Sequence, residues 1–459
     1  MNRRALAILV VLSSLACNFL TGMLEGSTPT PPPPTPIPAT ATPAIPTPAY
    51  IPAACQNQPL ATVPAATALA EPTPFLLDNP DVPPELQLQV FDDVVSVIED
   101  VYVYPDFNGV DWEGLKKTHR EKIEAGVDTK TFYETVQALV AELNDDHSYL
   151  ESPVEVAVSE AQLAGTDEFV GIGAFILPFE EKGHVTLIFA YPNSPAEHAG
   201  LKAHDSILAA DGLPIIQDGE ARIELVRGPE CSAVVLTVQS PGEAPRQVMV
   251  VRERIQSPMV IQASLLPTSD GSRVGYIFLP TFFDQTIPDQ VRNALENFGP
   301  LDGLILDNRL NGGGSSSVVE PLLSFFASGR LGSFTSRRES NPLTIEADPI
   351  HNSQTVPLVI LVSEDTVSFG EIFSGVLRDA GRAKIVGEPT LGNVEILHGY
   401  EFDDGSILWI AEETFVPANS SENWEETGIV PDVIAHADWD TFTFENDPSI
   451  QAAVRLLGH

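Results

Sequence analysis

The residues best placed to do chemistry lie in the stretch LVSEDTVSFGEIFSGVLRDAGRAKIVGEP, residues 361–389. An apolar strand, PLVILV, ends at Val362 and runs into a short polar turn that carries Ser368-Phe369-Gly370. A helix is expected from Glu371, with Ile372, Phe373, Val376 and Leu377 on its apolar face. A serine on a strand-to-helix turn holds its oxygen beside the free N–H groups of a helix N-terminus, which favour a developing negative charge. The same placement also describes a helix N-cap serine. A second candidate is His147, in Leu143-Asn144-Asp145-Asp146-His147-Ser148-Tyr149, just past an expected helix end. A histidine there is either a solvated cap or a group that moves protons near neutral pH. A third is the cluster Gly312-Gly313-Gly314, which follows the apolar strand of LDGLILDNRLNGGG at the strand end where α/β sites lie. Read alone, that cluster is also a flexible loop.

Three kinds of element must position these residues. From about Pro84, LQVFDDVVSVIEDVYVY places Leu88, Val90, Phe91, Val94, Val95, Val97 and Ile98 near helical period. DWEGLKKTHREKIEAG and DTKTFYETVQALVAEL read as further amphipathic helices, the second capped by Asp128. Together they predict a helical domain over 84–152. Residues 160–254 read as a small β-rich domain of short strands bracketing one helix. From 255 to 459 strands and helices alternate, as in an α/β core.

The chain has 459 residues, long enough for two or three domains. It carries 24 Lys+Arg against 64 Asp+Glu, a formal net charge of −40, which argues against nucleic acid or an anionic membrane surface as partner. Arg3 and Arg4 precede the apolar run ALAILVVLSSLA, too short for an ordinary membrane span and read as an export signal over 1–17. Residues 18–83 are expected to be a disordered stalk, with GSTPTPPPPTPIPATATPAIPTPAY as its semi-rigid Pro/Thr-rich part. After Cys17, Cys55 and Cys231 are the remaining thiols, able to pair in an oxidising compartment.

Several motifs resemble known families. Ser14-Leu15-Ala16-Cys17 is similar to a bacterial lipobox, departing from it at Ser14, which implies lipidation at Cys17 and attachment to the outer face of the cell membrane, with plain secretion as the alternative. SPAEHAGLK-x-x-D-x-IL-x-x-DG, with the VRGPE turn, resembles a PDZ domain of bacterial proteases. That implies a peptide-carboxylate loop at Gly171, Ile172 and Gly173, beside which an extended peptide adds as a strand. VGYI-x-L-x-x-F at 274–283, DNRLNGGG at 307–314, the Ser368 turn with RDAGRAKIVGEPT, and E-x-x-G-I-V-P-D at 425–432 occur in order. With the domain order, they resemble the carboxyl-terminal processing (tail-specific) serine proteases and their tricorn-type relatives. The fold implied is a helical domain, a PDZ domain and an α/β core of ClpP/crotonase-like type.

The chain departs from that pattern at one place. The segment in which the family carries a catalytic lysine reads Gly387-Glu388-Pro389-Thr390-Leu391-Gly392-Asn393-Val394. Asn393 fills the lysine slot, and an amide does not take a proton from a hydroxyl at neutral pH. The one lysine after residue 256 is Lys384. The tricorn-type branch implies another base, with Ser368 as nucleophile, His147 as base and Glu425 as its partner. Glu426 competes with Glu425, and His398 with His147. The oxyanion hole implied is the N–H of Phe369 with that of Gly313, or Gly314 as fallback. The expectation is an exported serine endopeptidase acting on unfolded proteins or their C-terminal tails, with protein or peptide substrates, no cofactor and no metal. The alternatives are an inactive family member that binds peptides and a non-proteolytic surface scaffold.

Overall fold

The computed structural model describes residues 46–56, 61–62, 79–145, 147–163, 168–256, 260–436 and 438–459. The apolar periodicity after Pro84 becomes α1 (Pro84–Val101), whose Val90, Phe91, Val94, Val97, Ile98 and Val101 are buried. In α2 (Trp112–Glu124) the cap is Asp111, which accepts from Gly114 N at 3.1 Å. In α3 (Thr129–Ala141) it is Asp128, as its position at the start of the period required, accepting from Thr131 N at 2.8 Å. Beyond α3 the chain passes His147 and forms β1 (Tyr149–Glu151), followed by α4 (Pro153–Leu163).

A separate unit holds residues 169–255. Its sheet contains β2 (Ala174–Phe179), β3 (His184–Ala190), β4 (Ser206–Ala210), β5 (Ser232–Gln239) and β6 (Arg246–Val251), around the short α5 (Pro195–His198). The loop proposed to hold a carboxylate is pinned through its carbonyls. Ile172 O accepts from Ala196 N at 2.8 Å, and Gly173 O from Tyr191 N at 3.0 Å. Part of the segment expected to be stalk belongs to this unit. Ala61–Thr62 pairs parallel with Ser232–Ala233, and Cys55 is bonded to Cys231. A covalent tie across 176 positions of sequence overrides the low core-forming power of the Pro-rich composition. Arg3, Arg4 and Cys17 lie outside the described residues.

In the unit that contains α1–α4, the alternation after residue 255 builds two sheets. The first runs in the order β7 (Gln262–Leu266), β8 (Val274–Phe278), β9 (Gly303–Asp307), then Leu358–Val362, Ala383–Gly387 and Val433–Ile434. Only β7 is antiparallel to its neighbour. Between β8 and β9 lies α6 (Ile287–Phe298), and after β9 comes α7 (Ser316–Phe326). The second sheet is β11 (Ser340–Ile345), β10 (Gly329–Ser336), Ile407–Pro417 and β1, with Ile396–Glu401 paired to Ile407–Pro417. In chain order the remaining strands are β12 (Leu358–Val362), β13 (Ala383–Gly387), β14 (Ile396–Glu401), β15 (Ile407–Pro417) and β16 (Val433–Ile434). The remaining helices are α8 (Phe369–Asp379), α9 (Trp424–Thr427) and α10 (Pro448–Leu457). β9 and β12 are buried along their whole length, which is why they read as unbroken apolar runs. Because β1 pairs with β15 (Tyr149 opposite Trp409), the segment after α3 is fixed to the same body as the Ser368 turn.

Candidate active site

The apolar run PLVILV is β12, and its C-terminal end delivers the chain to Ser368. α8 begins at Phe369, two residues before the expected start, with Ser368 itself as N-cap. Ser368 has φ +55° and ψ −125°, a conformation that costs a non-glycine residue on the order of 1–3 kcal/mol. The surroundings fix it. Val367 N donates to Asn311 O at 3.0 Å, and Ser368 N to Glu371 Oε2 at 3.2 Å. Asn308 Nδ2 donates to Gly370 O at 2.8 Å. The loop after β9 therefore grips the turn after β12, and both sit at the C-terminal edge of adjacent parallel strands. Gly313, at φ +97°, lies against the serine, and a Cβ there would come within 2.8 Å of Ser368 Cβ.

Glu371 is fully buried and gathers four donors. Thr390 Oγ1 (2.5 Å) and Gly392 N (2.9 Å) reach Oε1, while Asn393 N (2.8 Å) joins Ser368 N on Oε2. Burial pushes its pKa up to about 7 against the pull of those donors. This carboxylate thus ties the nucleophile turn to the 390–393 loop. Asn393, in the lysine slot, takes part through its backbone N–H. Lys384 lies on β13, exposed and paired with Asp432 Oδ1 at 2.9 Å, so a lysine base is absent from the described site.

The same loop runs on to Glu395, one of two carboxylates beside His147. The ring Nε2 lies 3.1 Å from Glu425 Oε1 and 2.6 Å from Glu395 Oε2. Glu425 rides on α9, anchored by the fully buried Trp424, which stacks on Phe415 at 5.5 Å. Deleting a buried tryptophan costs about 3–5 kcal/mol, so the four-residue helix is held by packing. Val394 N donates to Glu425 Oε2 at 2.7 Å, and Tyr104 Oη to Glu395 Oε1 at 2.5 Å. Gly392, at φ +85°, allows this approach, since a Cβ would meet Glu425 O at 2.4 Å. Asp145 serves its own turn, accepting from His147 N, Ser148 N and Ser148 Oγ. Asp146 lies outside the described residues. His398, the rival, pairs with Glu413 on β15 at 3.1 Å. Glu426, the rival carboxylate, is exposed.

Charge decides the state of His147. Burial lowers its pKa, but pairing with the adjacent carboxylates of Glu395 and Glu425, and their charge, outweighs this and pushes it up to about 10. The two carboxylates respond oppositely. Burial raises both, yet Glu395 ends below its usual value because His147 and Tyr104 favour its anion. Glu425 ends above it, because the anion of Glu395 lies beside it. The two carboxylates thus favour the cation, and the ring must lose a proton before it can accept one. If His147 is the base, activity at this site is expected to rise from neutral into alkaline pH. Glu395→Gln removes one stabilising anion, so it is expected to move the acid limb of kcat/KM to lower pH, measured with chelator present. A limb that stays in place would contradict this.

Of the two N–H groups expected to form an oxyanion hole, one is free of the helix ladder and the other is already engaged. Phe369 N–H stands at the first position of α8, where the helix ladder does not use it. Gly313 N–H donates to Asn311 Oδ1 at 3.0 Å and must leave that acceptor to serve an oxyanion. Sequence reasoning missed Glu395, Glu371, Tyr104 and Asn311. The available signal was a carboxylate, Glu395, two residues beyond the vacant lysine slot. Among the described residues, His147, Glu395 and Glu425 form a group with donor atoms within 4.8 Å of one another, the arrangement a metal ion would need.

Residues 273–435 match Peptidase family S41, residues 83–141 the tricorn protease C1 domain, and residues 190–240 a PDZ domain. A carboxyl-terminal-processing protease of Picosynechococcus sp. is 30% identical over 375 residues, covering 78% of this chain and 86% of that one. A carboxy-terminal processing protease of Bacillus subtilis is 26% identical over 325 residues, with 70% and 64% covered. Two solved structures share the fold. A photosystem II D1 C-terminal processing protease has a TM-score of 0.53 at 23% identity, covering 81% of this chain and 97% of that one. A putative S41 protease from Bacteroides fragilis has 0.58 at 18% identity, with 80% and 96% covered.

Proposed function

The chain belongs to peptidase family S41, the carboxyl-terminal-processing proteases, and we propose that it is an exported serine endopeptidase that cuts extended protein tails with Ser368, His147 and Glu425. The observation that carries this reading is the pairing of His147 Nε2 with Glu425 Oε1 at 3.1 Å, in the same body as a serine on a strained strand-to-helix turn. In the mechanism, neutral His147 takes the Ser368 hydroxyl proton as Oγ attacks the scissile carbonyl. The oxyanion is held by Phe369 N–H and by Gly313 N–H once Asn311 releases it. The C–N bond breaks as His147 returns its proton to the leaving amine, giving an acyl-enzyme. Water then attacks, His147 takes a proton from it, and the new carboxyl product leaves as Ser368 recovers its own. Glu425 orients the ring and stabilises its cation.

The PDZ loop Gly171–Gly173 would hold the substrate's C-terminal carboxylate. An extended peptide with a free C-terminus is therefore expected to be cut faster than its C-terminally amidated twin, as read by mass spectrometry of the products. Equal rates would remove tail recognition from the reading.

Export rests on the leader and on the Cys55–Cys231 disulfide, a bond that persists in oxidising compartments. Among the described residues no helix is long and apolar enough to cross a membrane. Cys17 would then be the anchor. Cys17→Ser is expected to move the protein from the membrane fraction to the soluble one. A mature protein whose N-terminus lies elsewhere and bears no lipid would contradict the anchor.

A further inference from the structure

A general base needs one carboxylate partner, and His147 has two. The proton on Nε2 points along one direction only. Glu425 Oε1 accepts it, while Glu395 Oε2, on a residue 3% exposed, makes no hydrogen bond despite lying 2.6 Å from the ring nitrogen. The outer oxygens of both carboxylates are already held, that of Glu395 by Tyr104 Oη at 2.5 Å and that of Glu425 by Val394 N at 2.7 Å. Their inner oxygens are thereby aimed at Nε2. Anchored outer oxygens behind converging inner ones are the arrangement in which outer-shell donors fix metal ligands.

We propose that His147, Glu395 and Glu425 form a site for a divalent transition-metal cation of Zn2+ type, which shuts the peptidase by taking the lone pair of its base. The gating half rests on the catalytic reading above; the binding half does not. One nitrogen and two carboxylate oxygens suit Zn2+, with water completing a tetrahedron. Bonds of about 2.0–2.1 Å put ligand atoms roughly 3.3 Å apart, so the two carboxylate oxygens, now 2.6 and 3.1 Å from Nε2, need to open from it by less than about 1 Å. A proton bridges two of these atoms, whereas a cation satisfies all three and neutralises both carboxylates. Metal and proton compete for the same nitrogen, so binding is expected to weaken as pH falls.

The test uses the full chain, stripped with chelator. ZnCl2 is titrated calorimetrically into Ser368→Ala protein, which does not depend on activity, with Co2+ absorption as a second readout of four-coordinate binding. The expected result is one Zn2+ per chain, weakened at least about tenfold in Glu395→Gln. Should Glu395→Gln fail to fold, Glu425→Gln carries the same comparison. In the unmodified chain, Zn2+ should inhibit cleavage at the concentration that fills the site, and chelator should restore it. Lack of stoichiometric uptake, or uptake indifferent to both substitutions, would overturn the site. Uptake with unchanged cleavage would overturn the gating. Uptake in a chain that never cleaves would leave the site standing and overturn the peptidase reading.

Discussion

Ser368→Ala is expected to abolish cleavage, lowering kcat by roughly 10^4- to 10^6-fold while the fold is kept. The side chain lost is one hydroxyl on a turn whose conformation is set by its backbone. Val367 N, Ser368 N and Gly370 O keep their partners on Asn311, Glu371 and Asn308. Alanine would carry the same φ of +55°, so the far-ultraviolet circular dichroism and melting temperature should change little. Cleavage of an unfolded protein, followed by gel and mass spectrometry, reads the effect. A folded Ser368→Ala protein that still cleaves would remove Ser368 as nucleophile.

His147→Ala is expected to cost nearly as much, because members of a triad act as a unit. His398→Ala should stay within about twofold of the unsubstituted rate. His398 is held on β14 against Glu413 at 3.1 Å, and its carboxylate partners are on β15 rather than on α9. Asn393→Lys added to His147→Ala should not rescue activity. The Asn393 backbone is fixed by Glu371, a carboxylate that would hold a nearby ammonium charged. Loss on His398→Ala with near-normal rates in His147→Ala would move the base to β14.

The fold was largely legible in the sequence because each element stated its own period. The run PLVILV between polar turns is β12, and the Asp128 cap and apolar spacing give α3. Ser368 and His147 each stood out from their local sequence, but only family resemblance coupled them, since nothing local joins residues 221 positions apart by number. The β1–β15 pairing fixes the segment that carries His147 to the body that carries Ser368, a long-range contact that no periodicity encodes. Glu395 escaped for a related reason. It lies beside β14, where a lone carboxylate reads as an exposed residue, yet packing of Tyr104 and His147 buries it. Glu371 marked only the expected start of a helix, although four donors converge on it. The stalk was overread because composition does not reveal a disulfide partner 176 positions away.

The central claim is that His147 activates Ser368. The most direct measurement is labelling of the full chain with a fluorophosphonate in chelator-containing buffer, followed by intact-mass analysis and peptide mapping. The account predicts one adduct per chain, on Ser368, that grows faster as pH rises from neutral and is lost in His147→Ala. Labelling at another residue, or labelling of Ser368 at an undiminished rate in His147→Ala, would contradict it.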